Sequence, residues 1–486
     1  MLQFDPGRIE QFKEGIRHIP GYPAGEGLPI RQMVFESGAL FRLPALLSEA
    51  GARPDQPLVV VMDFTPMRRG DADLKSLLLA NLRKAGWQPE AIWVEQDGTG
   101  QVHTDTVQVG RVKARLLPHT AVLSVGSGTV TDIAKHAAHL FQQSASAAPL
   151  PYVAYQTANS VNAFTSNMAS VFVDGVKRTL ASRYPDVLVC DLETLRDAPV
   201  TLTAAGVGDV VAAFSSMADW HLQHRLGLDP TYTEFAHRLM GPSDETLLAS
   251  AGAIRAGSLE GMEVLAKLLT LGGLAMSLSH ATAPMSGVEH GVSHLIDSVA
   301  ALRRQPLALH GLQVGLTSVL TTEAFRILLQ EFEPAELDPA RCYPSAEEMH
   351  ARIRAALDPV DSTGQTSAEC WAEYRQKLEA WHAHRADFEE ALRDWPSVRA
   401  GIKALMRPPG TIVEILRAVG SPLGFDQLDP PLDEALVKFA FVNSQFVRRR
   451  PMLSDLLLFL NWDAEALWGR VWTNYQRLVR TMPQYA

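Results

Sequence analysis

Unbroken apolar runs of strand length recur through the first two hundred residues. They are Leu58-Val59-Val60-Val61-Met62, Ala91-Ile92-Trp93-Val94, Ala121-Val122-Leu123-Ser124-Val125, Tyr152-Val153-Ala154-Tyr155 and Val187-Leu188-Val189-Cys190. Runs without a polar face predict strands covered on both sides, as in a mainly parallel sheet. After the first run, Asp73 to Ala85 carries leucines at 74, 77, 78, 79 and 82, the spacing of a helix. Such alternation of short strands and helices predicts an α/β fold. Ser166 to Val173, closing at Asp174-Gly175, predicts a hairpin arm inserted in that pattern.

The texture changes after Pro199. Ala204 to Leu226, Glu245 to Ser279, Val288 to Leu302 and His310 to Glu331 read as long helices rich in Ala, Leu and Met. Strand-like runs almost vanish, which predicts a boundary near residue 198 between an α/β half and an all-helical half. Pro334, Pro339, Pro344 and Pro359, set among many acids, predict a surface excursion over 333–366. Six of the nine tryptophans lie at or beyond position 371 and are expected to pack helices together.

Composition narrows the class. The chain of 486 residues is 47% hydrophobic and 20% charged, enough to bury a large core. A formal charge of -10 argues against a nucleic-acid partner, whose binding would need a basic face. Cys190, Cys342 and Cys370 are far apart and show no CxxC spacing, so neither a disulfide framework nor a cysteine zinc site is expected. The N-terminus mixes Asp5, Arg8, Glu10 and Lys13 into its apolar residues, unlike a signal peptide. No unbroken apolar run approaches the roughly 18 residues of a membrane span. The expectation is a cytoplasmic protein without a membrane span; whether it forms a homo-oligomer is left open.

Two constellations carry chemistry. Ala121 to Lys135 reads strand, glycine turn, helix: Gly126 and Gly128 let backbone N–H groups approach a phosphate, and Thr129 to Asp132 open a helix whose N-terminus favours an anion. The third glycine of GxGxxG and the Lys-Ser/Thr of a P-loop are absent, so an ordinary turn remains open as a reading. Asp63, ending the first long strand, stands where an acid would bond a dinucleotide ribose, or simply cap a turn. In the helical half, Asp209 follows Gly206-Val207-Gly208, His290 and His294 fall four apart on one helical face, and His310 precedes Gly311. One Asp and two or three His match the ligands of a catalytic divalent site, although spacing alone does not separate them from ordinary core histidines.

Gly126-Ser127-Gly128-Thr129-Val130-Thr131-Asp132 resembles the cofactor turn of the iron-containing alcohol dehydrogenase and glycerol dehydrogenase superfamily. More narrowly, Lys177-Arg178-Thr179, Cys190 to Pro199, Ala204 to Asp209, Gly273 to Met276, Ser286 to His290 and Leu309 to Gly315 look like the sn-glycerol-1-phosphate dehydrogenases. The likeness runs from about residue 33 to 320 and resumes at Ile412 to Leu460, where Arg448-Arg449-Arg450 echoes a basic motif. It implies a dehydroquinate synthase-like architecture: an extension over 1–32, an α/β dinucleotide-binding domain over 33–198 and an all-α metal and substrate domain over 199–486. It also implies NAD or NADP held by Asp63, Gly126, Ser127, Gly128, Thr129, Asp132, Thr157 and Ser160. Asp209, His290 and His310 would hold zinc, nickel or iron, with His294 beside the substrate as proton relay and Lys177 on a substrate phosphate.

The sequence also departs from that family. A loop that usually reads Pro-Thr-x-x-Ser-x-Asp-Gly is here Gln156-Thr157-Ala158-Asn159-Ser160-Val161-Asn162-Ala163, so Asn162 replaces an acid facing metal and substrate. The expected activity interconverts a small polyol or polyol phosphate and its ketone, with sn-glycerol 1-phosphate and dihydroxyacetone phosphate as default pair. Loss of the acid predicts a bias toward carbonyl reduction. A dehydrogenase-like scaffold that has lost its reaction, or a lyase of the dehydroquinate synthase type, are the competing readings.

Overall fold

The computed structural model describes residues 2–23, 25, 27–145, 149–173 and 176–481. Its strands are β1 (Gln32–Glu36), β2 (Leu58–Asp63), β3 (Arg68–Arg69), β4 (Ala72–Asp73), β5 (Pro89–Val94), β6 (Ala121–Gly126), β7 (Tyr152–Gln156), β8 (Met168–Val173), β9 (Val176–Ala181) and β10 (Val187–Asp191). A six-stranded sheet runs β1-β10-β7-β6-β2-β5, with every described pair parallel. All five apolar runs read from the sequence form strands of it. β8 and β9 pair as the expected hairpin arm, and its tip at 174–175 lies outside the described residues.

Alternation within the runs sorts side chains to the two faces. Leu58, Val60 and Met62, with Leu123, Val125, Val153, Tyr155, Val187 and Val189, point to one face and pack under helices Ala39–Glu49 and Leu74–Lys84. Helix Gly128–Ala145 packs against β6, β2 and β7, and its Val130, Ile133, Ala134 and Ala137 are buried. The chain leaves β2 outward to β5 but leaves β6 in the opposite direction to β7. With right-handed crossovers, the connecting helices fall on opposite faces, which opens a crevice at the carboxyl ends of β2 and β6.

The chain forms two compact units. One comprises residues 1–173, 178–210 and 238–278; the other comprises 174–177, 211–237 and 279–486. This division differs from a single boundary at 198: the helices Val200–Val211 and Leu259–Leu278 go largely with the sheet. Gly273 shows why. A Cβ there would stand 2.5 Å from the carbonyl oxygen of Asn162, so only glycine lets that helix close on the loop after β7. The expected helix from 245 to 279 is two helices, Ser243–Arg255 and Leu259–Leu278, because Gly257 at φ +64 ends the first, its amide donating to the Ile254 carbonyl.

In the second unit the expected surface excursion is partly helical. Ser345 caps helix Ala346–Leu357 through the Glu348 amide, and Met349, Ile353 and Leu357 are buried. Trp381, Trp395 and Trp468 are buried among the later helices. Three helical stretches, Val200–Arg225, Leu259–Leu278 and His310–Glu331, are by length and composition apolar enough to cross a membrane. Unbroken runs did not reveal them, because Gly, Ala, Thr and Ser interleave their large residues. Most of each is buried inside the protein, as core helices are.

Candidate active site

The glycine turn sits where β6 ends in the crevice. Helix Gly128–Ala145 begins immediately after Ser127, with Thr129 in its first turn, and the Thr131 amide donates to the Ser127 carbonyl at 3.1 Å. Gly128 is required for close approach: a Cβ there would lie 2.4 Å from Cγ2 of Val161. The loop after β7 therefore folds directly over the turn, and the Thr157 amide donates to the Gly126 carbonyl at 3.2 Å. Ser160 and Thr157 are buried in that loop. Asp132 is engaged within the protein: Lys135 lies 2.8 Å from Oδ1, and the Ser170 amide of β8 donates to Oδ2 at 3.0 Å. Lys135, wholly buried, also donates to the carbonyls of Ala163 and Ser166, so it ties this loop to helix Gly128–Ala145.

Asp63 ends β2 beside this turn. Its Oδ1 accepts from Lys75 at 2.9 Å and its Oδ2 from the Thr65 hydroxyl at 2.8 Å. Lys75 was not singled out in the sequence, where a helical lysine has no signature. Arg69, close to Asp63 in sequence, is fastened to Asp191 and Glu193. At the other end of the loop, the backbone amide of Asn162 donates to Oδ2 of buried Asp209 at 2.8 Å, so the sequence's unusual residue is set against a candidate metal ligand.

In the second unit, His290 and His294 on helix Val288–Leu302 meet His310 at the start of helix His310–Glu331. Ring centroids are 5.2 Å apart for His290 and His310, 5.4 Å for His294 and His310, and 6.0 Å for His290 and His294. Hydrogen bonding assigns the tautomers. Nδ1 of His290 lies 3.1 Å from Oε1 of Glu289, an acceptor only, so Nδ1 carries the proton and Nε2 is bare. Burial opposes the charge on Glu289, but bonds from His290, the Gly287 amide and Ser215 hold its carboxyl below the usual range.

Nδ1 of His310 lies 3.0 Å from the Ser293 hydroxyl, which gives its own proton to Oε1 of Gln313 at 3.3 Å. The Gln313 amide is oriented by donating to Asp297 and the Ala308 carbonyl. His310 is therefore the donor to Ser293, and its Nε2 is bare too. Nδ1 of His294 faces the Arg448 guanidinium at 3.2 Å, and a guanidinium only donates, so His294 carries its proton on Nε2. Burial, then the charges of Arg448 and Lys177, push His294 well below its ordinary value; burial, then Lys177 and His290, do the same to His310. Both are neutral at pH 7, the form a metal ligand or proton donor needs.

The ammonium of Lys177 pairs with buried Asp297 at 2.8 Å. Arg448, noted in the sequence only within a basic run, bonds His294 and Ser286. Only the folding of residue 448 onto helix Val288–Leu302 could reveal that.

The sheet thus carries a glycine turn at its switch point, and the second unit carries three clustered imidazoles. The model of the iron-containing alcohol dehydrogenase family matches residues 34–199. Glycerol-1-phosphate dehydrogenase [NAD(P)+] of Bacillus subtilis (strain 168) is 32% identical over 302 residues, spanning 61% of this chain and 73% of the relative. The enzyme of that name from Geobacillus stearothermophilus is 30% identical, spanning 69% of this chain and 81% of the relative. The glycerol dehydrogenase structure from Schizosaccharomyces pombe shares the fold, with a TM-score of 0.55 at 12% identity over 94% of this chain and 93% of that one. The chain belongs to the glycerol-1-phosphate dehydrogenase family and is an NAD(P)-dependent oxidoreductase.

Proposed function

We propose that this protein is a cytoplasmic enzyme that reduces dihydroxyacetone phosphate to sn-glycerol 1-phosphate with NADH or NADPH, using a divalent ion held by Asp209, His290 and His310. The tautomer pattern carries the reading: His290 and His310 each carry an unprotonated Nε2, whereas His294 beside them carries an Nε2–H. Two imidazole lone pairs with oriented partners behind them suit a metal ion such as zinc, nickel or iron. The ion supplies a Lewis acid for the carbonyl, and the nicotinamide supplies hydride.

The chain's own residues do the rest. Gly126, Ser127, Gly128 and Thr129 receive the pyrophosphate at the helix N-terminus, where a Cβ at Gly128 has no room. Asp63 receives the adenosine ribose, while Thr157, Ser160 and Asp132 line the nicotinamide side. His294 gives its Nε2 proton to the forming alkoxide, and Arg448 holds its ring from behind through Nδ1. Arg448, held by His294 and Ser286, is the cation assigned to a substrate phosphate in place of Lys177, which pairs with Asp297. Asn162, offering amide donors where the family has an acid, favours the carbonyl substrate over a free hydroxyl.

The test is oxidation of NADH and NADPH by dihydroxyacetone phosphate with zinc, nickel or iron supplied in turn. Turnover with at least one metal is expected. Cofactor binding without turnover under all of them would identify a scaffold that has lost the reaction.

A further inference from the structure

Two large aromatic side chains lie in the open at the carboxyl edge of the sheet. Phe64 directly follows Asp63 at the end of β2, and Trp93 is next to last on β5; they are 56% and 39% exposed. Their rings stack with centroids 5.0 Å apart and planes 21° from parallel. Exposed apolar surface of this kind, gathered in one place, marks a contact site. Resting on the NAD(P) reading above, we propose that the Phe64–Trp93 stack is the platform on which the adenine ring of the cofactor lies.

Position points to that occupant. β6, β2 and β5 are consecutive and parallel in the sheet, with Val61 opposite Ser124, Met62 opposite Trp93 and Asp63 opposite Val94. Gly126, Asp63 and Trp93 therefore follow one another along the carboxyl edge, each strand about 4.8 Å from the next. A dinucleotide with its pyrophosphate at the glycine turn and its ribose at Asp63 extends in the same direction onto β5.

Chemistry agrees with position. Adenine presents a flat π-face with little else to bond at this edge, and stacking on an aromatic ring is the interaction such a face makes best. Lys75 links the platform to the ribose site: its ammonium lies 5.6 Å from the Trp93 ring centroid while bonding Asp63. That cation fixes the Asp63 carboxylate and the ring beside it in one arrangement. Phe64 makes its own contribution from the solvent side, and its removal leaves the core untouched.

The experiment measures Kd for NADH and for ADP-ribose by calorimetry on the full chain, with melting temperature as a check on folding. Phe64→Ala is expected to weaken both ligands roughly tenfold, within the range of one base–aromatic stack, at unchanged melting temperature. Phe64→Tyr and Trp93→Phe, which keep a stack, are expected to stay within about twofold of wild type, by the same stacking argument. An ADP-ribose Kd unchanged in Phe64→Ala overturns the platform while leaving the NAD(P) reading intact. If that variant instead sediments as a smaller species with unchanged ADP-ribose binding, the pair is a contact for a second copy and the proposal fails. Wild type that binds neither ligand overturns both the platform and the reading it rests on.

Discussion

The ammonium of Lys75 lies 2.9 Å from Oδ1 of Asp63, and both side chains are buried at the carboxyl edge of the sheet. Asp63 alone would repel a 2′-phosphate and select NADH. Its charge is here compensated by Lys75, while the spare lone pairs of its carboxylate would still accept from an unsubstituted ribose in the proposed site. NADH is therefore expected to bind more tightly than NADPH, but by less than about tenfold, or 1.4 kcal/mol. Direct Kd measurement checks it, and tighter NADPH binding would refute the ribose role of Asp63. Lys75→Met strands a buried carboxylate, so it should cost about 3–5 kcal/mol of stability, read by denaturant unfolding.

Metal retention should hinge on His310. The His310→Ala variant removes one bare Nε2 and is expected to lose its bound ion on gel filtration, as elemental analysis would report. NADH affinity should stay near wild type, because the glycine turn belongs to the other compact unit. Parallel loss of cofactor binding would mean that the histidine shapes the fold instead.

Lys177 and Arg448 should separate by phenotype. Lys177 pairs with buried Asp297, so Lys177→Met is expected to lower melting temperature sharply. Arg448→Ala is expected to raise KM for dihydroxyacetone phosphate at least about tenfold, with less effect on unphosphorylated dihydroxyacetone. Equal KM increases for the two substrates would exclude a phosphate contact.

Asp219 gives the protein a pH dependence. Burial, with the charge of Glu289 in support, pushes its carboxyl up to about 7 against the pull of Arg450 and the Leu453 amide. The folded value exceeds the ordinary 3.8, so folding takes up a proton in the window between them. The stability from the neutral carboxyl is complete below about pH 4 and is lost as pH rises through about 7. The lowered histidines His294 and His310 work in the opposite direction below about pH 6.5, so the contribution is read as a difference. Relative to wild type, Asp219→Asn should gain at least about 3 °C of melting temperature between pH 5 and pH 8. Equal slopes in both proteins would remove Asp219 as the cause.

The sequence by itself determined five of the six strands of the main sheet, the glycine turn and the residue types of the site; β1, short and bounded by Gln32 and Glu36, carries no such run. Continuous runs such as Leu58 to Met62 can only be buried, and the adjacency of Gly126, Ser127 and Gly128 is a local feature that needs no folding to be seen. Tertiary structure decided what pairwise contacts decide. It gave Asp63 to Lys75 and Lys177 to Asp297, it turned the Asn162 amide toward Asp209, and it carried Arg448 back to His294 across 154 residues. It also set the extent of the α/β unit, because the fit of Gly273 against Asn162 draws a helix from the apolar second half onto the sheet's own loop. Periodicity records which face of a segment is buried. It cannot record which group waits on the neighbouring segment, and those partners set the proton positions of the site's imidazoles.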